Sequence, residues 1–365
     1  MNIAFYAPMK PPSAPVPSGD RTMARALVGA LQFAGHKVEI AARLRAREPT
    51  GDSARQQRLR TLGEALADRA VRRYRARPAA ERPHIWFTYH LYYKAPDWIG
   101  PRVADALGIP YVLAEASFAP KRAAGPWAES HRAVRDAIVR ADLVFDLNSA
   151  NEACVQPLLK TPDRLVRLRP FVCALTPTLP QRERERRGND VRLLTVAMMR
   201  SDAKLRSYRV LAEALALLPR NGWTLTVVGD GPAERDVRAL FENLPVKFAG
   251  RREGDTLAEY YAVADLFVWP AVDEGFGMAT VEAQAAGVPV VVGRAGGVSD
   301  TVRDGVTGVL TPMGDAAAFA AAISGLLADP VRRRRMGAQA ARLTREQGFA
   351  AAARLMDEKL RALMS

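Results

Sequence analysis

Glu274 and Glu282 stand eight positions apart, with seven residues between them, in the run Glu274-Gly-Phe-Gly-Met-Ala-Thr-Val-Glu282. Ahead of them, Leu266 to Trp269 is a short apolar run closed by Pro270, the pattern of a buried strand. Behind them, Met278 to Ala286 has the alanine-rich content of a helix, and Gly287 supplies its stop. A strand, a glycine loop and a helix in this order leave unpaired backbone N–H groups at the helix start, where an anion is favoured. A carboxylate beside a phosphate repels it. Two acids flanking such a site are therefore better suited to accepting hydrogen bonds from sugar or ribose hydroxyls. Phosphate on a helix tip with acids for hydroxyls describes a nucleotide-sugar site. The alternative is an ordinary strand–helix turn with two solvated glutamates.

The whole phrase from Glu274 to Gly287, with Val288-Pro-Val-Val291 after it, resembles the signature of the retaining glycosyltransferases of family 4. The resemblance is strong over most of the second half and holds only in outline over the first. It implies an α/β fold of GT-B type, two doubly wound Rossmann-like domains facing across a cleft. It implies transfer of a sugar from a nucleotide diphosphate sugar to an acceptor hydroxyl, a glycan or lipid-linked saccharide, with anomeric configuration retained. Arg200 and Lys204 stand where the family clamps the donor diphosphate. Backbone N–H groups around Gly275, Phe276, Gly277, Met278, Ala279 and Thr280 complete that clamp. Glu274 then contacts sugar hydroxyls and Glu282 the ribose. Gly231 falls in the nucleotide-side loop, and Arg251 in the turn that meets the nucleobase. The implied chemistry needs no cofactor, metal or protein nucleophile. The acceptor attacks from the leaving-group side while the departing phosphate takes its proton.

The elements that must position these groups alternate along the chain. Asn2 to Ala7 reads as a strand. A proline-rich loop closes on Ser18-Gly19-Asp20, and Arg21 to Ala34 carries a helical stripe. Gly19 lets backbone approach a ligand closely. The family has a glycine pair in this loop, whereas here Gly19 is followed by Asp20. Ile85 to His90, Tyr111 to Ala114, Leu143 to Leu147 and Arg164 to Leu168 read as strands, with helices at Pro96–Leu107, Trp127–Ala141 and Ser149–Leu159. Strand tips in an open α/β sheet face the ligand crevice, which nominates His90, Glu115 and Ser117 beside Asp20 for the acceptor side. Many family members have a histidine near the tip where this chain has Glu115. A carboxylate there suits orienting or deprotonating an acceptor hydroxyl, or a structural role. Domain boundaries follow. Residues 1–172 read as one domain, 173–190 as a Pro- and Arg/Glu-rich linker and 191–340 as a second domain; the resemblance implies that the first binds the acceptor, the second the donor, and that 341–365 is a terminal helix returning to the first.

Composition narrows the remaining classes. The chain has 365 residues and a net charge of +14, with eight lysines against 45 arginines. Anionic partners are expected. No RNA-binding strand pair, zinc finger or basic zipper is present, which argues against nucleic acid. Two cysteines and four scattered histidines give neither a disulfide framework nor metal-ligand spacing. The start lacks the basic flank of a leader and no apolar run spans a membrane, so the cytoplasm is expected. An arginine-rich segment, Arg43 to Arg77, reads as a surface helix with Leu59, Leu62, Leu66 and Ala70 as its apolar stripe. Its other reading is a peripheral contact with the inner face of an anionic membrane. Two rival functions stay open: a nucleotide-sugar epimerase of the same architecture, and a nucleotide-sugar-binding protein without transferase activity.

Overall fold

Apolar β-branched runs separated by amphipathic helices dictate parallel sheets covered on both faces, and the chain builds two of them. The computed structural model describes residues 1–173, 190–275 and 277–364. The expected linker at 173–190 falls almost wholly outside the described residues, as do Phe276 and Ser365. One compact unit comprises residues 1–169 with 350–364, and the other residues 170–349.

In the first unit, strands β1 (Asn2–Tyr6), β2 (Lys37–Ile40), β3 (Ile85–Leu91), β4 (Tyr111–Ala116), β5 (Leu143–Asp146) and β6 (Leu165–Arg167) form one sheet. Their order is β2-β1-β3-β4-β5-β6, with every pairing parallel. The order reverses between β1 and β3. Phe5, Phe87 and Phe145 stack across three strands at 5.6 and 6.2 Å between ring centres.

Three helices of this unit differ from the sequence reading. The helix expected from Pro96 begins at Gly100, because the Asp97 carboxylate accepts from the Ile99 and Gly100 amides at 2.9 and 2.7 Å and fixes the entry turn. The segment Ser149–Leu159 is broken into a four-residue helix, Glu152–Val155, between 3-10 turns. Pro157, which lacks an N–H, prevents a longer one. The arginine-rich helix Ser53–Arg75 buries Gln56, Gly63, Ala67, Ala70 and Tyr74, leaving Leu62 49% exposed. Of the expected stripe Ala70 is buried and Leu66 packs against the core, but Gly63 and Ala67 take the inward places beside them because the backbone passes close to Trp98: a Cβ on Gly63 would lie 2.4 Å from the Trp98 Cβ.

The last helix, Phe349–Ala362, buries Ala352, Ala353, Met356 and Leu360, and its Asp357 Oδ1 lies 3.1 Å from His36 Nε2.

In the second unit, strands β7 (Val191–Val196), β8 (Trp223–Val228), β9 (Val246–Gly250), β10 (Leu266–Trp269), β11 (Val290–Gly293) and β12 (Gly308–Thr311) form the second sheet. Its order is β12-β11-β10-β7-β8-β9, again parallel throughout. The reversal lies between β7 and β10. Leu193, Leu225, Phe267, Val291 and Ile323 belong to its core. No helix among the described residues is long and apolar enough to cross a membrane.

Candidate functional site

Where the strand order of an open parallel sheet reverses, the two flanking connections diverge and leave a crevice at the carboxyl ends of the strands. In the second unit those connections follow β7 and β10. The first delivers Lys204, in the opening turn of helix Ala203–Ala216. The second delivers Glu274. Lys204 Nζ lies 2.6 Å from Glu274 Oε1, with both side chains more than four-fifths buried. Glu274 Oε2 accepts from the Trp269 indole N–H at 2.6 Å, and the Lys204 ammonium lies 5.2 Å from the centre of the Trp269 ring. Both glutamate oxygens are therefore fixed. The loop that carries them is tied down by the Val272 amide donating to Ser207 Oγ at 2.9 Å, and by Arg206 against Asp273 at 2.6 Å. Ala271 and Asp273 sit at φ 53° and 52°, a left-handed conformation that costs a non-glycine residue and persists where surroundings enforce it.

The helix after this loop, Met278–Ala285, starts at Gly277 with φ 61° and no side-chain cap. Its first amides thus remain oriented toward the loop with the positive end of the helix dipole behind them. Thr280 is fully buried, and its hydroxyl has no hydrogen-bond partner among the described residues. Gly275 and Ala279 lie on either side of this start, exposed and half-buried. Glu282, also half-buried, accepts from the Tyr261 hydroxyl at 2.8 Å. Burial raises its carboxyl to about 7, the Tyr261 bond offsetting part of that rise.

Other residues singled out in this unit sit farther from the pair. Arg200 is exposed, with Nε 3.2 Å from Asp202 Oδ2, and is not brought to Glu274 with Lys204. Asp202 caps the Lys204 helix through the Lys204 amide at 3.0 Å. Gly231 has φ 149°, and a Cβ there would lie 2.3 Å from the Met199 carbonyl oxygen. Its lack of a side chain lets the β8 loop lie against the turn that carries Arg200. Arg251 is exposed and hydrogen-bonds Glu253 at 2.5 and 2.9 Å. Among the described residues, no three His, Cys, Asp or Glu side chains converge to hold a metal ion.

The first unit repeats this logic at its own reversal. The loop after β1 ends at Ser18, whose hydroxyl accepts from the Arg21 amide, and Gly19 opens helix Gly19–Phe33 with Asp20 in its first turn. Asp20 Oδ1 lies 2.9 Å from His90 Nδ1, at the tip of β3. Burial alone would lower the His90 pKa, but the Asp20 carboxylate more than offsets it and the net direction is upward. His90 and Glu115 occupy the register step between the pairs Tyr89↔Ala114 and Leu91↔Ala116, at φ 62° and 60°. β4 runs two residues past its expected end, so Glu115 lies inside the strand and is 3% exposed. Its Oε1 accepts from the Asn151 side-chain Nδ2 at 2.9 Å. Oε2 is buried without a well-formed bond among the described residues. Burial, with Asp146 adding, pushes the Glu115 carboxyl up to about 8 against the pull of His90, Arg167 and the Leu147 amide.

Trp269 and Tyr261 were missed from sequence because each reads as core. The available signal was position: Trp269 ends a strand at the carboxyl edge, and Tyr261 is a polar-tipped ring in a helix preceding that strand.

Residues 190–329 match the family model described as glycosyl transferases group 1. The sulfoquinovosyl transferase SQD2 of Arabidopsis thaliana is 34% identical over 150 residues, 40% of this chain and 29% of that protein. A GDP-mannose-dependent alpha-(1-6)-phosphatidylinositol monomannoside mannosyltransferase of Mycolicibacterium smegmatis is 35% identical over 174 residues, 44% of this chain and 45% of its own. The chain thus spans less than half the length of these curated relatives. The crystal structure of Anabaena HepE in complex with UDP superposes on 99% of this chain and 100% of its own, with TM-score 0.75 and 19% identity, a likeness of fold. Residues 190–329 are thus similar to the glycosyl transferases group 1, and the chain has the GT-B fold.

Proposed function

We propose that the chain is a retaining glycosyltransferase that moves a sugar from a nucleotide diphosphate sugar to an acceptor hydroxyl. The observation that carries this reading is the Lys204–Glu274 pair, held by Trp269 at the strand reversal of the family-matched unit. On this reading the donor diphosphate rests on the helix start at Gly277–Thr280 and displaces Lys204 from Glu274 onto itself. Arg200 swings in from solvent. Glu274, released from Lys204 but still held by Trp269, accepts from the sugar hydroxyls, and Glu282 accepts from the ribose. As the glycosidic bond breaks, negative charge grows on the leaving phosphate. Once Lys204 and Arg200 have moved onto the diphosphate, these cations and the helix-tip amide dipoles stabilise it, which removes the need for a metal in the proposed mechanism. The acceptor hydroxyl attacks from the leaving-group side and passes its proton to that phosphate, while groups of the first unit orient the acceptor.

UDP in the HepE structure and GDP-mannose in the name of the mycobacterial relative make these two the first donors to try. A thermal-shift screen with UDP-, GDP- and ADP-sugars tests donor binding, because a ligand of the native state stabilises by mass action. The expected result is stabilisation by one nucleotide series and slow release of free nucleoside diphosphate. Stabilisation without release from any donor–acceptor pair would favour a binding protein. The exposed arginines Arg55, Arg58, Arg69 and Arg72 of helix Ser53–Arg75 further support peripheral docking on an anionic membrane. Cosedimentation with phosphatidylglycerol vesicles at low salt tests that, and absence of binding removes it.

A further inference from the structure

Next to His90 the first unit carries a cluster that the donor chemistry does not use. Tyr93 and Trp127 meet edge to face at 5.4 Å. Lys94 Nζ lies 5.8 Å from the Tyr93 ring centre and 5.1 Å from that of Trp127. The Arg122 guanidinium lies 5.3 and 5.2 Å from the same two centres. Tyr92 links this pair to the strand tip, 5.5 Å from Tyr93 and 5.4 Å from the His90 ring, and its hydroxyl donates to Met9 Sδ at 3.7 Å. The rings and their cations come from the connections after β3 and β4, on the same sheet edge as His90 and Glu115.

Two cations sharing one pair of aromatic faces repel each other, so ring packing alone does not account for both. Acids of the neighbouring connections are engaged elsewhere. Both Glu48 oxygens accept from Thr50 and the Gly51 amide, Asp20 bonds His90, and Glu129 pairs with Arg60. The Nε atoms of Arg122 and Arg47 are buried without a hydrogen-bond partner among the described residues. Such donors call for an acceptor. Aromatic faces suit the apolar C–H face of a sugar ring, and a guanidinium suits a carboxylate or phosphate.

We propose that this cluster is an acceptor subsite and that the acceptor is an anionic saccharide. Its ring lies against Tyr93 and Trp127, and its carboxylate or phosphate lies between Lys94 and Arg122. The inference rests on the reading of the chain as a glycosyltransferase and names the class of its acceptor.

Saturation-transfer NMR titrations of the full chain test it, with methyl glucuronide and glucose 6-phosphate as charged probes, methyl glucoside as the neutral one, and inorganic phosphate as the ion alone. The charged sugars are expected to bind at least tenfold more tightly than the neutral sugar and than free phosphate. The uronide and phosphosugar arms separate carboxylate from phosphate as the anion. Arg122→Gln and Lys94→Gln should each weaken the charged probes at least tenfold, and Arg122→Lys should restore part of the loss. Equal binding of charged and neutral sugars, unchanged affinity in both Gln variants, or no saccharide binding overturns the proposal. Nucleotide-sugar thermal shifts on the same wild-type sample separate the two failures. If donors stabilise and charged sugars do not bind, only the acceptor inference falls; if no donor binds, the underlying reading falls with it.

Discussion

Lys204 and Glu274 neutralise each other in the absence of a donor, so removing either leaves the other as a largely buried, unneutralised charge. Lys204→Ala is expected to lower turnover at least tenfold, about 1.4 kcal/mol or more at the transition state, and to lower thermal stability as well. Glu282→Ala is expected to lower turnover by a similar factor, measured as release of nucleoside diphosphate. Glu282 ionises at about 7, and only its charged form accepts with both oxygens. Donor affinity should therefore rise as pH climbs through neutrality, and Glu282→Gln should flatten that rise in pH-resolved titrations. Glu115 supplies a stability test. Its folded-state carboxyl is raised from 4.5 to about 8, so over that window the native state holds a proton that the unfolded chain has released. Stability falls as pH rises across the window and levels off above it. Glu115→Gln removes the titration, so its melting temperature should gain on the wild type from acid toward pH 8. Glu274 and Glu282 were legible because their types and spacing fall in one continuous phrase. Tyr261 and Trp269 were not, because their partners are set by tertiary packing across 21 and five positions of chain and leave no local pattern.

At the scale of elements, the strands were legible almost throughout, because buried parallel strands are continuous apolar runs between breakers. Errors fell where a side chain or a proline overrode periodicity, as at Asp97, Pro157 and Gly63. Helix Ser53–Arg75 shows the reason. Its sequence offers a leucine stripe, of which Leu66 and Ala70 do face the core, but the close approach of Trp98 turns Gly63 inward and leaves Leu62 exposed. Gly63→Leu should therefore destabilise the first unit by about 1–3 kcal/mol through overpacking, measured by denaturant unfolding, whereas Leu62→Gln on the exposed side should change it little. Gly231→Ala places a methyl group against the Met199 carbonyl at a backbone angle that disfavours it. It should displace the Arg200 turn and weaken donor binding in thermal-shift titrations.

Across the whole molecule, each sheet reverses its strand order once, and each reversal carries a pair drawn from the carboxyl ends of the two strands it parts and the connections after them, Asp20–His90 in one unit and Lys204–Glu274 in the other. The alternation of strands and helices made two such sheets legible. The pairs were not, because strand order is a tertiary property. Calorimetry should show nucleotide sugars shifting the melting of the second unit. Removing residues 350–364 should lower the melting of the first by about 5 °C or more, since four buried apolar side chains go with them. That terminal helix also sets a timetable. Synthesis runs from the N-terminal side, yet the unit begun first lacks a packing face until residues 350–364 have emerged, by which time every strand of the other unit has emerged too. A nascent chain must therefore carry an unfinished domain through most of translation, exposed to chaperones and proteases, and any mutation that slows docking of this helix lowers the yield of intact protein.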